Sequence, residues 1–126
     1  MTPVFLTTEF VLRIHARSLG EFGGLVGLSD PGAVESAVMA VQNHHHYTGG
    51  DLFDLAGVML WHLASDHPFA DGNKRVALAS ALVFLAVNGL DLAQNDDLFE
   101  GLTLAVARGA MGKEQVADLL RKADLA

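Results

Sequence analysis

Residues 67–75 read HPFADGNKR and set an imidazole, a carboxylate, an amide, an amine and a guanidinium within nine positions. His67 carries the one side-chain type in this stretch that serves as a neutral base near pH 7. Asp71 can hold Mg²⁺, an ion that binds through one or two carboxylates and completes its shell with phosphate oxygens and water. Pro68 and Gly72 rule out a regular helix through the middle of the stretch, and Gly72 also permits close approach of a ligand to the backbone. Phe69 is the one bulky apolar residue here, and its burial is expected to anchor the loop. A helix is expected to begin near Asn73 or Lys74, aiming free N–H groups and the positive end of its dipole back at the loop. Lys74 and Arg75 add two cations, which suits a polyphosphate better than a single carboxylate. Base, metal ligand and phosphate cradle together are what phosphoryl or nucleotidyl transfer to a hydroxyl requires. The spacing is not that of a Walker A loop.

These side chains need helices to place them. Downstream, VALASALVFLAV (Val76 to Val87) is too short to span a bilayer and reads as a helix buried nearly all round. Upstream, a helix from about Asp51 to Ser65 offers Phe53, Leu55, Val58, Met59 and Leu63 for packing and ends at His67, because the residue before proline leaves helical geometry. A first helix, capped by Thr7 or Thr8, repeats Phe10, Val11, Ile14 and Leu19 at helical spacing until GEFGGLVGLSD breaks it. A second starts at Ser29 or Asp30 with Pro31 in its first turn. HHHYTGG is expected to interrupt the helices, with one short β-hairpin around residues 44–50. Asn88-Gly89 suits a left-handed cap, and NDDLFEGLTLAVARG and GKEQVADLLRKA predict two further helices. The expected fold is all-α, about six helices in a single domain over residues 1–126.

Composition narrows the function. Hydrophobic residues make up 51% and charged residues 18% of the 126, as in a folded globular chain. There is no cysteine, hence no disulfide framework, and MTPVFLTTEF lacks the features of a signal peptide, so a cytoplasmic location is expected. A net charge of −7 argues against nucleic acid and against anionic membranes as partners. Between Arg17 and Arg108 the only cationic residues are Lys74 and Arg75, which points to a local anion site.

HPFADGNKR resembles the signature of the Fic/Doc superfamily, H-x-F-x-D/E-G/A-N-G/K-R. DLFDLAG upstream and NKRVALASALVFLAVNG downstream resemble the death-on-curing (Doc) branch, so the likeness runs from about residue 20 through most of the chain. The resemblance implies His67 as general base, Asp71 as Mg²⁺ ligand, and Gly72, Asn73, Lys74 and Arg75 as holders of the ATP phosphates. It implies Phe69 as structural anchor, and a flap over His44 to Gly50, with His46, Tyr47 and Thr48, that aligns the target polypeptide. Fic adenylyltransferases typically have glycine where this chain has Lys74, and arginine where it has Leu78. Doc proteins resemble this chain at both positions and are protein kinases. The resemblance therefore implies an ATP-dependent toxin that transfers the γ-phosphoryl group to a Ser/Thr hydroxyl of elongation factor Tu and stalls translation. AMP transfer by the same site, or a catalytically silent antitoxin-binding module, are the alternatives. The inhibitory S/T-x-x-x-E-G/N helix of many Fic enzymes is missing, since Asp96 stands four residues before Glu100-Gly101. Restraint is thus expected from a separate antitoxin whose helical tail covers the toxin.

Other clusters carry blander expectations. Consecutive His44, His45 and His46 seldom converge on one ion. His62 is expected to pack or lie exposed rather than ligate, and Asp66 to be solvated. Ser65-Asp66-His67 is discounted as a hydrolase triad, whose members converge from separate segments. Arg108, Lys113, Arg121 and Lys122 are expected to be solvated near helix ends, where cations favour the dipole.

Overall fold

The computed structural model describes residues 2–124. It contains α1 (Thr8–Phe22), α2 (Pro31–Thr48), α3 (Leu52–Asp66), α4 (Asn73–Val87), α5 (Asp96–Ala107) and α6 (Lys113–Asp124). Local chemistry sets most of their ends. Thr7 caps α1 by accepting the Phe10 N–H, Asp30 caps α2 through the Gly32 N–H, and Asn95 caps α5 through the Leu98 N–H. Asp51 and Asp54 form a reciprocal capping box at the start of α3.

α3 is the central element and packs against α2, α4, α5 and α6. Its buried residues run through successive positions from Leu55 to Leu60, the pattern of a helix enclosed on every side. Gly57 makes the α6 contact possible: a Cβ there would stand 2.8 Å from the Lys113 carbonyl oxygen and 3.2 Å from the Ala117 nitrogen. α4 is less enclosed than its apolar sequence predicts. Val76, Ala77, Ser80, Ala81, Phe84 and Leu85 are buried, whereas Leu78, Leu82 and Val83 are half-buried and Val87 is exposed. The reason is that α1 and α5 flank α4 without closing over it. Among the described residues no helix is long and apolar enough to cross a membrane.

The expected hairpin at 44–50 is not formed. α2 continues through the three histidines to Thr48 and stops at Gly49, whose N–H donates to the carbonyls of His44 and His45. Histidine is compatible with helix, and the chain has no left-handed residue here until Gly49 and Gly50 (φ 79° and 83°).

Arg121, expected to be solvated, instead joins the two ends of the central contact. Its guanidinium donates to both oxygens of Asp51 (3.0 and 2.9 Å), to Asp54 (3.1 Å) and to Asp118 (2.6 Å). Lys113 likewise lies over the Trp61 ring, 4.7 Å from its centroid. Burial works to raise the Asp51 carboxyl, but Arg121 and the Asp54 N–H outweigh it and hold it below its ordinary 3.8. Such a depressed carboxyl contributes stability above its unfolded value, and that contribution disappears as pH falls through the folded value. Arg121 is half open to water, so the pairing is worth about 1 kcal/mol at most. Arg121→Gln is expected to lower stability in urea by that amount at neutral pH, and the gap from the parent protein should be narrower at an acid pH below the ordinary carboxyl value of 3.8. An equal gap at both pH values would assign the effect to packing on the Phe53 ring, whose centroid lies 5.7 Å from the guanidinium carbon.

Candidate active site

The end of α3 turns sharply into the HPFADGNKR loop. His67 adopts φ 47°, ψ 57°, and among the described residues it is the one non-glycine residue with positive φ. A side chain in this region costs about 1–2 kcal/mol, so surrounding contacts must hold it. They lie in the next two residues, where Pro68 and Phe69 are buried. The Pro68 carbonyl accepts the N–H groups of Ser29 (2.9 Å) and Asp30 (3.1 Å), and the Ala70 N–H donates to Gly27 (3.0 Å). Leu28 and Phe69 form an isolated antiparallel bridge. The glycine-rich stretch after α1, legible in sequence as a break between helices, is thus one wall of the site.

Phe69 is 2% exposed and sits under the loop. Asn73 brackets its backbone: the Phe69 N–H donates to Asn73 Oδ1 and Asn73 Nδ2 donates to the Phe69 carbonyl, both at 2.9 Å. The Asn73 amide, expected to face nucleotide phosphates, is therefore committed to holding the loop. Its main-chain N–H remains at the free end of α4. Gly72 caps that helix in a left-handed conformation with no side-chain hydrogen bond, so the first-turn N–H groups lack intrahelical acceptors and can bind an anion.

Asp71 projects from the loop with each oxygen accepting one N–H, Oδ1 from Gly72 (2.8 Å) and Oδ2 from Leu25 (3.2 Å). The Leu25 and Gly72 N–H groups hold its carboxyl below the ordinary 3.8, so it is charged at neutral pH. Gly24 (φ 129°) makes the contact possible, since a Cβ there would lie 2.9 Å from Asp71 Oδ2. Arg75 is steadied by Phe22, whose ring centroid is 4.8 Å from the guanidinium carbon.

One cleft of about 360 Å³ gathers His67, Asp71, Gly72, Asn73, Lys74 and Arg75 against Phe22, Gly23 and Gly24. A second, of about 580 Å³, shares Phe22, Lys74 and Arg75 and continues along Leu78, Phe99 and Glu100. His46, Tyr47 and Thr48 are exposed on the last turn of α2 and do not line the first cleft. Asp66, expected to be solvated, faces His62 Nδ1 at 3.2 Å. Sequence reasoning passed over His15, Phe22, Gly24 and Leu25. For His15 a signal existed, because it shares the buried face of α1 with Val11 and Ser18.

The sequence model of the Fic/DOC family matches residues 5–85. The chain belongs to that family. It is 37% identical over 118 residues to the protein kinase doc of Escherichia phage P1, covering 93% of each chain. It is also 37% identical over 97 residues to the toxin Doc of Mycolicibacterium smegmatis, covering 72% of this chain and 73% of the relative. A divalent cation fits this Fic/Doc cleft by donor chemistry. Asp71 keeps a spare lone pair on each oxygen after accepting its two N–H bonds. Among the described residues no group of three or more His, Cys, Asp or Glu side chains is placed to hold a metal ion by itself, so a bound ion would take its remaining ligands from phosphate and water, as Mg²⁺ does.

Proposed function

We propose that the protein is a Doc-type toxin, an ATP-dependent protein kinase acting on a Ser/Thr hydroxyl of a translation factor, in a single Fic/Doc domain. The observation that carries this reading is one cleft in which His67, Asp71, Lys74, Arg75 and the uncapped start of α4 face the same space. The kinase name of the phage P1 relative, with 93% of both chains aligned, supports the chemistry.

In this reading the uncapped N–H groups of α4, with Lys74 and Arg75, hold the phosphates of ATP. His67 takes the proton of the target hydroxyl as its oxygen bonds to the γ-phosphorus. The bond from that phosphorus to the β–γ bridging oxygen breaks, and ADP leaves with the electron pair. Mg²⁺ on Asp71 neutralises phosphate charge when bound. Elongation factor Tu is the target that the family resemblance favours, a helical antitoxin is the partner, and the cytoplasm is the compartment.

The nucleotide can extend from Lys74 and Arg75 into either cleft, and Leu78 lines the second. The orientation decides which phosphorus meets the hydroxyl. Incubation of the protein with a bacterial lysate and ATP labelled at the γ or α position tests this. Label from the γ position on a lysate protein supports the kinase, α label means AMP transfer, and no transfer from either leaves a binding module. Lys74→Gly combined with Leu78→Arg is expected to raise AMP transfer at the expense of phosphoryl transfer, and an unchanged ratio would remove these two residues from the orientation argument.

A further inference from the structure

His15 lies outside the signature, more than fifty residues upstream of it, yet touches the loop at two points. Its ring stacks on Phe69 with centroids 3.7 Å apart and planes 11° from parallel. Its Nε2 lies 2.8 Å from the main-chain oxygen of Asp71. The same nitrogen is 3.6 Å from where a Cβ of Gly72 would stand. A carbonyl oxygen only accepts, so the short contact requires the proton on Nε2.

A packing role alone would account for the stack but not for the donor. At 6% exposure, a histidine in a helix whose neighbouring buried positions are Val11 and Ser18 bears a polar cost unless it is bonded. The bond it makes goes to the peptide of Asp71, the residue whose carboxylate faces the cleft. Three contacts then set that residue: His15 holds its carbonyl, Leu25 N–H holds Oδ2 and Gly72 N–H holds Oδ1. The carbonyl contact bears directly on the Oδ1 bond, because the Asp71 carbonyl and the Gly72 N–H belong to one planar peptide unit and turn together.

We infer that His15 is a positioning residue for transfer, aiming the Asp71 carboxylate into the cleft by donating Nε2–H to its main-chain oxygen. The inference rests on the reading of Asp71 as the cation ligand. Residues that orient a metal ligand typically change metal affinity or activity by about 10- to 100-fold when removed.

His15→Phe keeps a ring on Phe69 and deletes the donor, whereas His15→Gln restores an N–H donor at similar reach. Mn²⁺ serves as the spectroscopic probe, titrated by electron paramagnetic resonance with ATP present. His15→Phe is expected to weaken Mn²⁺ binding and lower kcat, each about tenfold or more, with KM for the target protein nearly unchanged. His15→Gln should recover most of both. In the parent protein, long-range ¹H–¹⁵N correlation should show the proton of this ring on Nε2, a readout independent of whether the variants fold. A neutral ring protonated on Nδ1 overturns the inference, as does a His15→Phe protein with parental Mn²⁺ affinity and kcat. If Asp71→Ala abolishes Mn²⁺ binding while His15→Phe leaves it intact, only the His15 inference fails. If the parent binds no Mn²⁺ with ATP, the reading of Asp71 fails and takes the inference with it.

Discussion

Replacing His67 with alanine is expected to cut transfer by about 100- to 10,000-fold, the usual range for loss of a positioned general base, while the protein stays folded and still binds ATP. The His67 side chain is exposed and lies outside the apolar core, so its removal opens no cavity. The backbone should also stay in place. Alanine has a Cβ, so the left-handed turn at 67 is no less strained than before, and Pro68 and Phe69 still hold it from below. Glycine is the informative contrast: His67→Gly removes the strain and should be slightly more stable than His67→Ala, yet equally inactive. Phosphate label transfer, thermal unfolding and ATP titration on the two variants check all three statements. Transfer retained in both would place the proton acceptor elsewhere.

The second large effect is expected from Asn73→Ala, and it separates a clamp from a ligand. If the Asn73 amide held phosphate, its loss would weaken ATP binding and spare the fold. The geometry predicts the reverse order of damage. Both amide atoms are bonded to the backbone of Phe69, so truncation leaves a partly buried N–H and C=O without partners. Each such orphan costs about 1–3 kcal/mol, giving about 2–4 kcal/mol in all because water reaches part of the loop. That is a large share of a domain's total stability. Denaturation should show the loss directly, and amide exchange should rise at Phe69 and Ala70 before it rises in α3. Activity is expected to fall with the loop, since His67 and Asp71 are both displaced when Phe69 loses its hold. A variant of parental stability with weakened ATP binding would return Asn73 to the phosphate site.

Asn73 also marks how far its own sequence could be read. Its side-chain type and its place in HPFADGNKR were plain, and a helix start near Asn73 or Lys74 followed from Gly72 before it; α4 begins at Asn73. That its amide turns back to Phe69 rather than forward to a ligand was not, because an asparagine at a helix start supports either geometry. Phe69 reads differently: one bulky apolar residue in a polar loop has few fates but burial, and it is buried. At residues 44–50 the polar run looked like a break, whereas a helix ends where its backbone can turn, at Gly49 and Gly50.

By itself the sequence determined the six helices and most of their ends, since caps, prolines and 3.6-residue spacing act over three or four positions. It also determined the chemistry available at 67–75, because the reactive groups are adjacent in the chain. Only the tertiary structure decided what surrounds them. His15 reaches Asp71 across 56 residues and Leu25 reaches it across 46, while Arg121 closes α6 onto the start of α3 across 70. Contacts of that span depend on how α1 and α6 pack against the central helices. No local pattern encodes that packing, so the signature named the reacting groups and the fold supplied the residues that hold them in place.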